Sequence, residues 1–464
     1  MVYQIKLKNL FLVLIFGLVS FLFYAGIILN LNPVQNDLIL VLMFLLILTF
    51  SLVMLLVEVA KKSYSIVMLH WFFCFIFYGV AAFIQYSSNT FLYAFNLETT
   101  DLIYITFAVF LWMLFYYIGT KIKFSRKINK SKFLSSKVNF NYAFIVFSTI
   151  MSILITLYVI SQTGLNAIFS RSTASSAFQQ ESLAEQQMLT SLLRNSVLYG
   201  LAISILFYKK FKQGLFLVII QLVACLIVNT PFGLARFNVA VVYIGLILLM
   251  FSSFKKNRLF IFVFFLAFII VFPLINVFRR YSLFDIPDGV VFQTISDISD
   301  NFLTGHYDSF TMIIYSYIYT NEYGISFGYQ LLGPLLFFIP RSIWPSKPIG
   351  SGAYILEAYG HSFTNGSAPL IAEGIINFGI FGVIILALFF GKISAYLDKV
   401  YWENVKFEHS TILAVFYPFS LSLFFFMNRG DLQNTFAFFV SHLSIFLIII
   451  WINNQFAKVF KNRY

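Results

Sequence analysis

Apolar runs of about twenty residues, separated by short polar connectors, repeat along most of the chain. A bilayer core of about 30 Å takes roughly 20 apolar residues as a helix. By that criterion the pattern predicts twelve spanning helices, at about residues 10–29, 38–57, 66–84, 102–119, 141–160, 190–208, 214–230, 237–253, 259–277, 369–390, 410–427 and 435–452. The one long interruption runs from residue 278 to 367, and it is dense in Arg, Asp, His, Trp and Pro: FRRYSLFDIPDG, DISDNFLTGHYDSF and LLGPLLFFIPRSIWPSKPIGSG, handing over to the membrane through FTNGSAPLIAEGIINFG. It divides the chain into a bundle of nine helices (1–277), a large loop (278–367), and three last helices with a tail (368–464). The first run follows Lys6 and Lys8 as a signal sequence would. It is nevertheless long enough to span and lacks a small-x-small cleavage site, so it reads as an uncleaved helix.

Composition places the chain in the all-α polytopic membrane class, with 60% hydrophobic residues, 61 Phe and only 11% charged residues. Cys74 and Cys225 both lie inside apolar runs, which excludes a disulfide framework or thiolate metal site as the organising feature. The net charge of +13 sits mostly in connectors, where membrane orientation accounts for it, so no nucleic-acid partner is indicated.

Orientation follows from those connectors, because cytoplasmic loops retain Lys and Arg. With both termini inside, the inner segments hold 20 Lys and three Arg, and the outer ones hold seven Arg (171, 194, 236, 279, 280, 341, 429) and one Lys, Lys347. Orientation needs only positive charge. Arginine adds a planar fork that binds phosphate or carboxylate through two hydrogen bonds, so outer arginines call for an anion. Fourteen of the 18 acidic residues also lie outside, and pairing with them is the competing explanation.

Candidate chemistry gathers on that outer side. Arg279 and Arg280 follow the ninth helix at headgroup height. His306 and Asp308, two apart around Tyr307, point in different directions on a helix, and each alone is a candidate general base. LLGPLLFFIPRSIWPSKP is too short and too Pro-broken to span, and reads as a re-entrant or interfacial segment in which prolines stiffen the backbone around Arg341, Trp344 and Lys347. Glu373 and Asn377, four apart on one face of the tenth helix, have Gly374, Gly379 and Gly382 beside them for close helix approach. An ionisable residue in a span marks a functional cavity by default. Arg236 stands at the mouth of the eighth helix, and Arg429 and Asp431 share a tight turn in which they are expected to pair. No GxxxxGK[ST], HExxH, CxxC or GxSxG is present, so nothing supports an ATPase, a zinc peptidase or a serine esterase.

GHYDSF, the stretch from YGISFGYQ through IPRSIWPSKPIGSG, FTNGSAPLIAEGIINFGIFG and NRGDLQN together resemble the Wzy-type bacterial oligosaccharide repeat-unit polymerases of O-antigen and capsule pathways, most clearly over residues 279–434. The resemblance implies a GT-C-like fold and a metal-independent glycosyltransferase without cofactor. Its implied place is the bacterial cytoplasmic membrane, where it would join undecaprenyl-diphosphate-linked oligosaccharides at the outer face, with flippase and chain-length regulator proteins as pathway partners. Some members carry an Arg-x10-Gly motif in outer loops; Arg341 to Gly352 has that spacing, whereas Ser182 stands where the glycine after Arg171 would be. On this reading Arg236, Arg279, Arg280, Arg341, Arg429 and Lys347 line a diphosphate site, Trp344 and Asn377 meet sugar, and the base is His306, Asp308 or Glu373. An O-antigen ligase would share the spans, the loop and the donor. A flippase or transporter of lipid-linked oligosaccharide would spread charge through the spans and show a two-half pseudo-repeat.

Overall fold

The computed structural model describes residues 17–18, 37–91, 97–124, 136–164, 183–232, 234–281, 286–296, 298–406 and 411–460. Among the described residues the architecture is helical, with only an isolated antiparallel bridge between Lys137 and Thr411. In chain order the helices are α1 (Leu38–Lys61), α2 (Ile66–Ser87), α3 (Thr99–Lys121), α4 (Tyr142–Thr163), α5 (Leu183–Phe211), α6 (Leu215–Val228) and α7 (Arg236–Met250). They continue with α8 (residues 259–280), α9 (Ser309–Tyr323), α10 (Tyr329–Leu335), α11 (Ser351–Ala358), α12 (Leu370–Lys406), α13 (Ile412–Arg429) and α14 (Leu432–Val459). Eight of these, α1 to α5 and α12 to α14, are long and apolar enough to cross a membrane.

Of the twelve expected spans, the first lies outside the described residues apart from Gly17 and Leu18. Ten of the other eleven each coincide with one helix, and the tenth span falls on a broken one. However, α6 and α7 have 14 and 15 residues, about 21 and 23 Å of rise, which is less than the ~30 Å of a hydrocarbon core.

Helix starts follow the sequence. Asp37 caps α1 by accepting from Ile39 N (2.7 Å), Ser65 caps α2 by accepting from Met68 N (2.9 Å), and Asn141 caps α4 by accepting from Ala143 N (2.8 Å). The apolar window of α2 is buried throughout, and α2 is the central post of the bundle. Around it Phe72, Phe73 and Phe77 of α2, Phe264 and Phe268 of α8, and Phe425 of α13 interlock edge to face and stacked. Where helices come closest, glycine is required: a Cβ on Gly119 of α3 would stand 2.5 Å from Leu388 O of α12, and one on Gly391 2.3 Å from Tyr116 O.

The tenth expected span is not one helix. α12 breaks at Phe378 (φ −146°, ψ 19°) and Gly379 (φ 60°, ψ −144°) into a short arm, residues 370–377, and a long arm, 380–406. In an uninterrupted helix residues eight apart lie about 12 Å apart. Here a Cβ on Gly382 would be 2.1 Å from Gly374 O, and one on Gly374 would be 2.6 Å from Val383 N, so the chain doubles back at Gly379. The glycines do permit close backbone approach, but between two arms of the same segment. Left-handed backbone at Gly379 is what the reversal needs, and glycine adopts it without strain.

The bundle has two chemically distinct ends. At one, Lys62 lies 3.5 Å from the buried Asp398, which accepts from Ile66 N (2.9 Å), Val67 N (3.2 Å) and the Tyr417 hydroxyl, while Arg258 donates to Ala60 O and Ser63 Oγ. The other end carries Arg236 at the start of α7, Arg429 at the end of α13, and the turn between residues 304 and 308.

Candidate functional site

The site is built on a single turn of 3₁₀ helix, Gly305–Tyr307. Tyr307 is the peg. Its ring is buried against Phe77 of α2 (5.3 Å between centroids) and Phe302 (4.6 Å), and burial raises its phenol above the ordinary range. From the last turn of α2, Gln85 Nε2 donates to both Phe302 O (2.9 Å) and Tyr307 O (3.1 Å). α2 contains a π-helical stretch, Cys74–Ala81, one turn before Gln85, the kind of insertion that re-aims the residues beyond it. Neither Gln85 nor Tyr307 carries a sequence signal of its role, because each acts through packing.

With the turn pegged, two arginines from distant elements reach it. Arg429 donates from Nε to His306 O (3.1 Å) and from Nη2 to Gly305 O (3.2 Å) and Asp308 Oδ1 (3.1 Å). Asp308 is buried and also accepts from Ser367 Oγ (2.7 Å) and Ser367 N (3.1 Å), which ties the turn to the strap entering α12. Arg236 brings Nη2 to 2.7 Å from His306 Nδ1, with its guanidinium over the face of Phe272 at 4.5 Å. Arg236 is the first residue of α7, where the helix dipole disfavours a cation. Its place there is set by the turn it meets, not by helix stability.

A second constellation adjoins the first through the chain, two residues beyond Arg429. Asp431 caps α14 by accepting from Gln433 N (2.8 Å) and Asn434 N (3.3 Å), and its other oxygen accepts from Gly352 N (3.1 Å). Glu373 on the short arm of α12 accepts from Ser351 Oγ (2.8 Å) and Leu432 N (3.2 Å). Burial pushes Asp431 above the ordinary carboxylate range, against the pull of its three backbone donors. A Cβ at position 350 would stand 2.0 Å from Asp431 Oδ2, so glycine there lets α11 sit on the carboxylate. Two carboxylates thus fasten α11, α12 and α14 together beneath the loop. The expected pairing of Arg429 with Asp431 does not form, because Asp431 is spent on backbone N–H groups and Arg429 turns to Asp308.

No family model, curated protein or solved structure matches this chain. What the site does therefore rests on its geometry.

The remaining sequence candidates fall into three groups. Arg279 and Arg280 close the last arm of α8, about 10 Å of helix beyond Phe272. Asn377 is buried at the end of the short arm of α12, where its Oδ1 accepts from Ser326 Oγ (3.1 Å) and Leu331 N (3.3 Å) and its Nδ2 donates to Glu373 O (2.8 Å). That arrangement docks the α9–α10 connection. Arg341 and Lys347 cross over one hairpin: Arg341 donates to Lys347 O (2.8 Å) and Pro348 O (3.4 Å), and Lys347 Nζ to Phe337 O (2.6 Å) and Ile339 O (3.0 Å). Partial loss of water, then the charge of Arg341, lowers the Lys347 ammonium below its usual range. The Trp344 indole N–H donates to Ser346 Oγ (3.1 Å). The hairpin returns through Pro348 to Gly350, and so to Asp431. Arg171 lies outside the described residues. Ser367 and Ser351, which hold Asp308 and Glu373, were not singled out from the sequence, because serine in a loop carries no pattern.

His306 and Asp308 do not pair with each other, as their two-residue spacing predicts; each instead takes its own arginine. The result is a turn with one guanidinium, Arg236, against its imidazole and a second, Arg429, on its carbonyls and on Asp308, its backbone held also by Gln85. Such an arrangement suits binding of a doubly charged oxyanion beside a nitrogen base. Among the described residues no group of three or more His, Cys, Asp or Glu side chains is arranged to hold a metal ion.

Proposed function

We propose that this chain is a glycosyltransferase of the repeat-unit polymerase type, with a GT-C-like fold, which joins undecaprenyl-diphosphate-linked oligosaccharides at the outer face of a bacterial cytoplasmic membrane. The observation that carries the reading is the convergence of Arg236, His306, Asp308 and Arg429 at the end of the bundle opposite the lysine-rich connectors.

The chemistry follows from those groups. As the bond from the donor sugar C1 to its phosphate oxygen breaks, negative charge grows on the departing lipid diphosphate. Arg429, fixed by three acceptors, presents the rest of its guanidinium without further reorganisation, and Arg236 faces it across the turn. Fixed cations at developing charge are typically the largest contribution to catalysis. His306 is the base that takes the acceptor hydroxyl proton, since Asp308 and Glu373 have both oxygens committed to hydrogen bonds. Arg279 and Arg280 extend the positive surface toward headgroup height, and the Arg341–Trp344–Lys347 hairpin is the platform for the sugar next to the diphosphate.

Deletion of the gene tests the reading in cells. Loss of long surface glycan chains with accumulation of single repeat units on lipid at the outer face is expected. Units trapped on the inner face would overturn it in favour of a flippase, and full-length polymer accumulating on lipid would overturn it in favour of a ligase.

A further inference from the structure

Two elements of the large loop, α9 and α11, carry a second chemistry apart from the arginines. On α9, Tyr319 and Tyr323 are four residues apart and share one face of the helix. Tyr317, on the other side of α9, meets Tyr104 of α3 at 4.8 Å between ring centroids, so the Tyr319–Tyr323 face looks away from α3. Tyr323 stacks on Tyr319 (4.9 Å, 24°). Tyr354 of α11 stands edge-on to Tyr319 (5.4 Å, 63°) and accepts from its hydroxyl (2.9 Å), while Tyr359, just past α11, donates to Glu322 Oε2 (2.9 Å). These contacts fix the rings before any ligand arrives. Tyr323 is 62% exposed with one face on Tyr319, which leaves its other face to solvent.

Charge selects what such a surface takes. Glu322 and Glu357 are exposed on these two helices, and no Lys or Arg occurs from residue 309 to 340 or from 348 to 391. A diphosphate calls for cations, and so does an aromatic belt seated on anionic headgroups. Carboxylates beside an open aromatic face call instead for a ligand that brings both hydroxyl donors and C–H surface, and an oligosaccharide has both. Its C–H groups, weakly positive, rest on the negative face of the ring. Its hydroxyls donate to the carboxylates in charge-assisted hydrogen bonds.

We propose that the α9–α11 tyrosine cluster is a saccharide-binding site that grips the glycan chain away from the reacting sugars, with Tyr323 as the stacking face and Glu322 as a hydroxyl acceptor. The glycan is taken as ligand from the glycosyltransferase reading above, on which the inference rests. The separation follows from α9 itself, which starts directly after Asp308 and has 15 residues, a rise of about 22 Å from the turn to Tyr323. A glycan too short to cover that distance uses the turn alone. A longer one engages both sites, and the second contact, made within one complex, slows its escape between additions.

The test uses the full chain with two probes: lipid-free glycan chains released from the surface polymer of the source bacterium, and a single undecaprenyl-diphosphate-linked repeat unit. Titration of the protein in detergent, read by saturation-transfer NMR of the sugar protons, measures binding of the free chains. The wild-type protein is expected to bind them, and Tyr323→Ala, which removes an exposed ring without opening the core, to bind them about tenfold more weakly. Tyr354→Phe, which keeps the ring and removes only the hydroxyl that accepts from Tyr319, is expected to weaken binding less. With the single unit as substrate in lipid, Tyr323→Ala is expected to form the first linkage at the wild-type rate and to make shorter chains thereafter. Equal chain binding or equal product length from wild type and Tyr323→Ala, or no chain binding by wild type, would overturn the saccharide site and leave the polymerase reading standing. Chain binding that Tyr323→Ala weakens, in a protein that forms no linkage, would uphold the site and overturn the polymerase reading.

Discussion

Asp308 accepts from Arg429, Ser367 Oγ and Ser367 N, which commits both its oxygens and makes it the joint between the turn, α13 and the strap entering α12. Removing one partner of a buried pair strands the other, at a cost of roughly 3 kcal/mol. Asp308→Ala and Arg429→Ala are each expected to lower unfolding free energy by that order, and the double variant by about 1 to 2 kcal/mol less than the two together. Unfolding of the four proteins in detergent measures this, and strictly additive losses would refute the joint. The sequence identifies His306 and Asp308 as chemically able and, from their spacing, as not paired with each other. Their actual partners lie 70 and 121 positions away, and no local pattern encodes a contact of that separation. For the same reason Arg429 is legible as an outer cation while its partner is not.

At the scale of elements, the reversal at Phe378–Gly379 turns a single expected span into a short arm bearing Glu373 and Asn377 and a long arm that packs on α3. Gly382→Ala forces a Cβ to 2.1 Å from Gly374 O, a backbone atom that cannot move aside alone. Overpacking of this kind costs about 1 to 3 kcal/mol, so the variant is expected to melt several degrees lower and to lose activity in step with the displaced Glu373. A melting temperature equal to wild type would show that the two arms are not in contact. The glycines and the polar face were visible in the sequence. The break was not, because the apolar pattern runs on through it and a positive φ at one glycine leaves no trace in periodicity. The Arg341–Lys347 hairpin has a similar history: its prolines announce a stiff segment, but which carbonyls the two cations reach depends on the folded path.

For the molecule as a whole, the membrane class, the helical architecture and the division of basic residues into a lysine-rich and an arginine-rich set could be read from the pattern of apolar runs and connectors. The number of spans was less legible, since α6 and α7 are shorter than the apolar runs containing them, α6 ending at its cap Asn229 and α7 running between its caps Ala235 and Phe251. The proposed reaction belongs to this scale, because it needs the ends of α7, α8, α12 and α13 together. It is tested most directly by supplying the purified, lipid-reconstituted protein with a single undecaprenyl-diphosphate-linked repeat unit and following both products. The account predicts a ladder of longer glycans with one undecaprenyl diphosphate released per linkage, and no ladder from Arg429→Lys at equal protein level. Unchanged lipid-linked substrate with the wild-type protein, or an equal ladder from the variant, would contradict it.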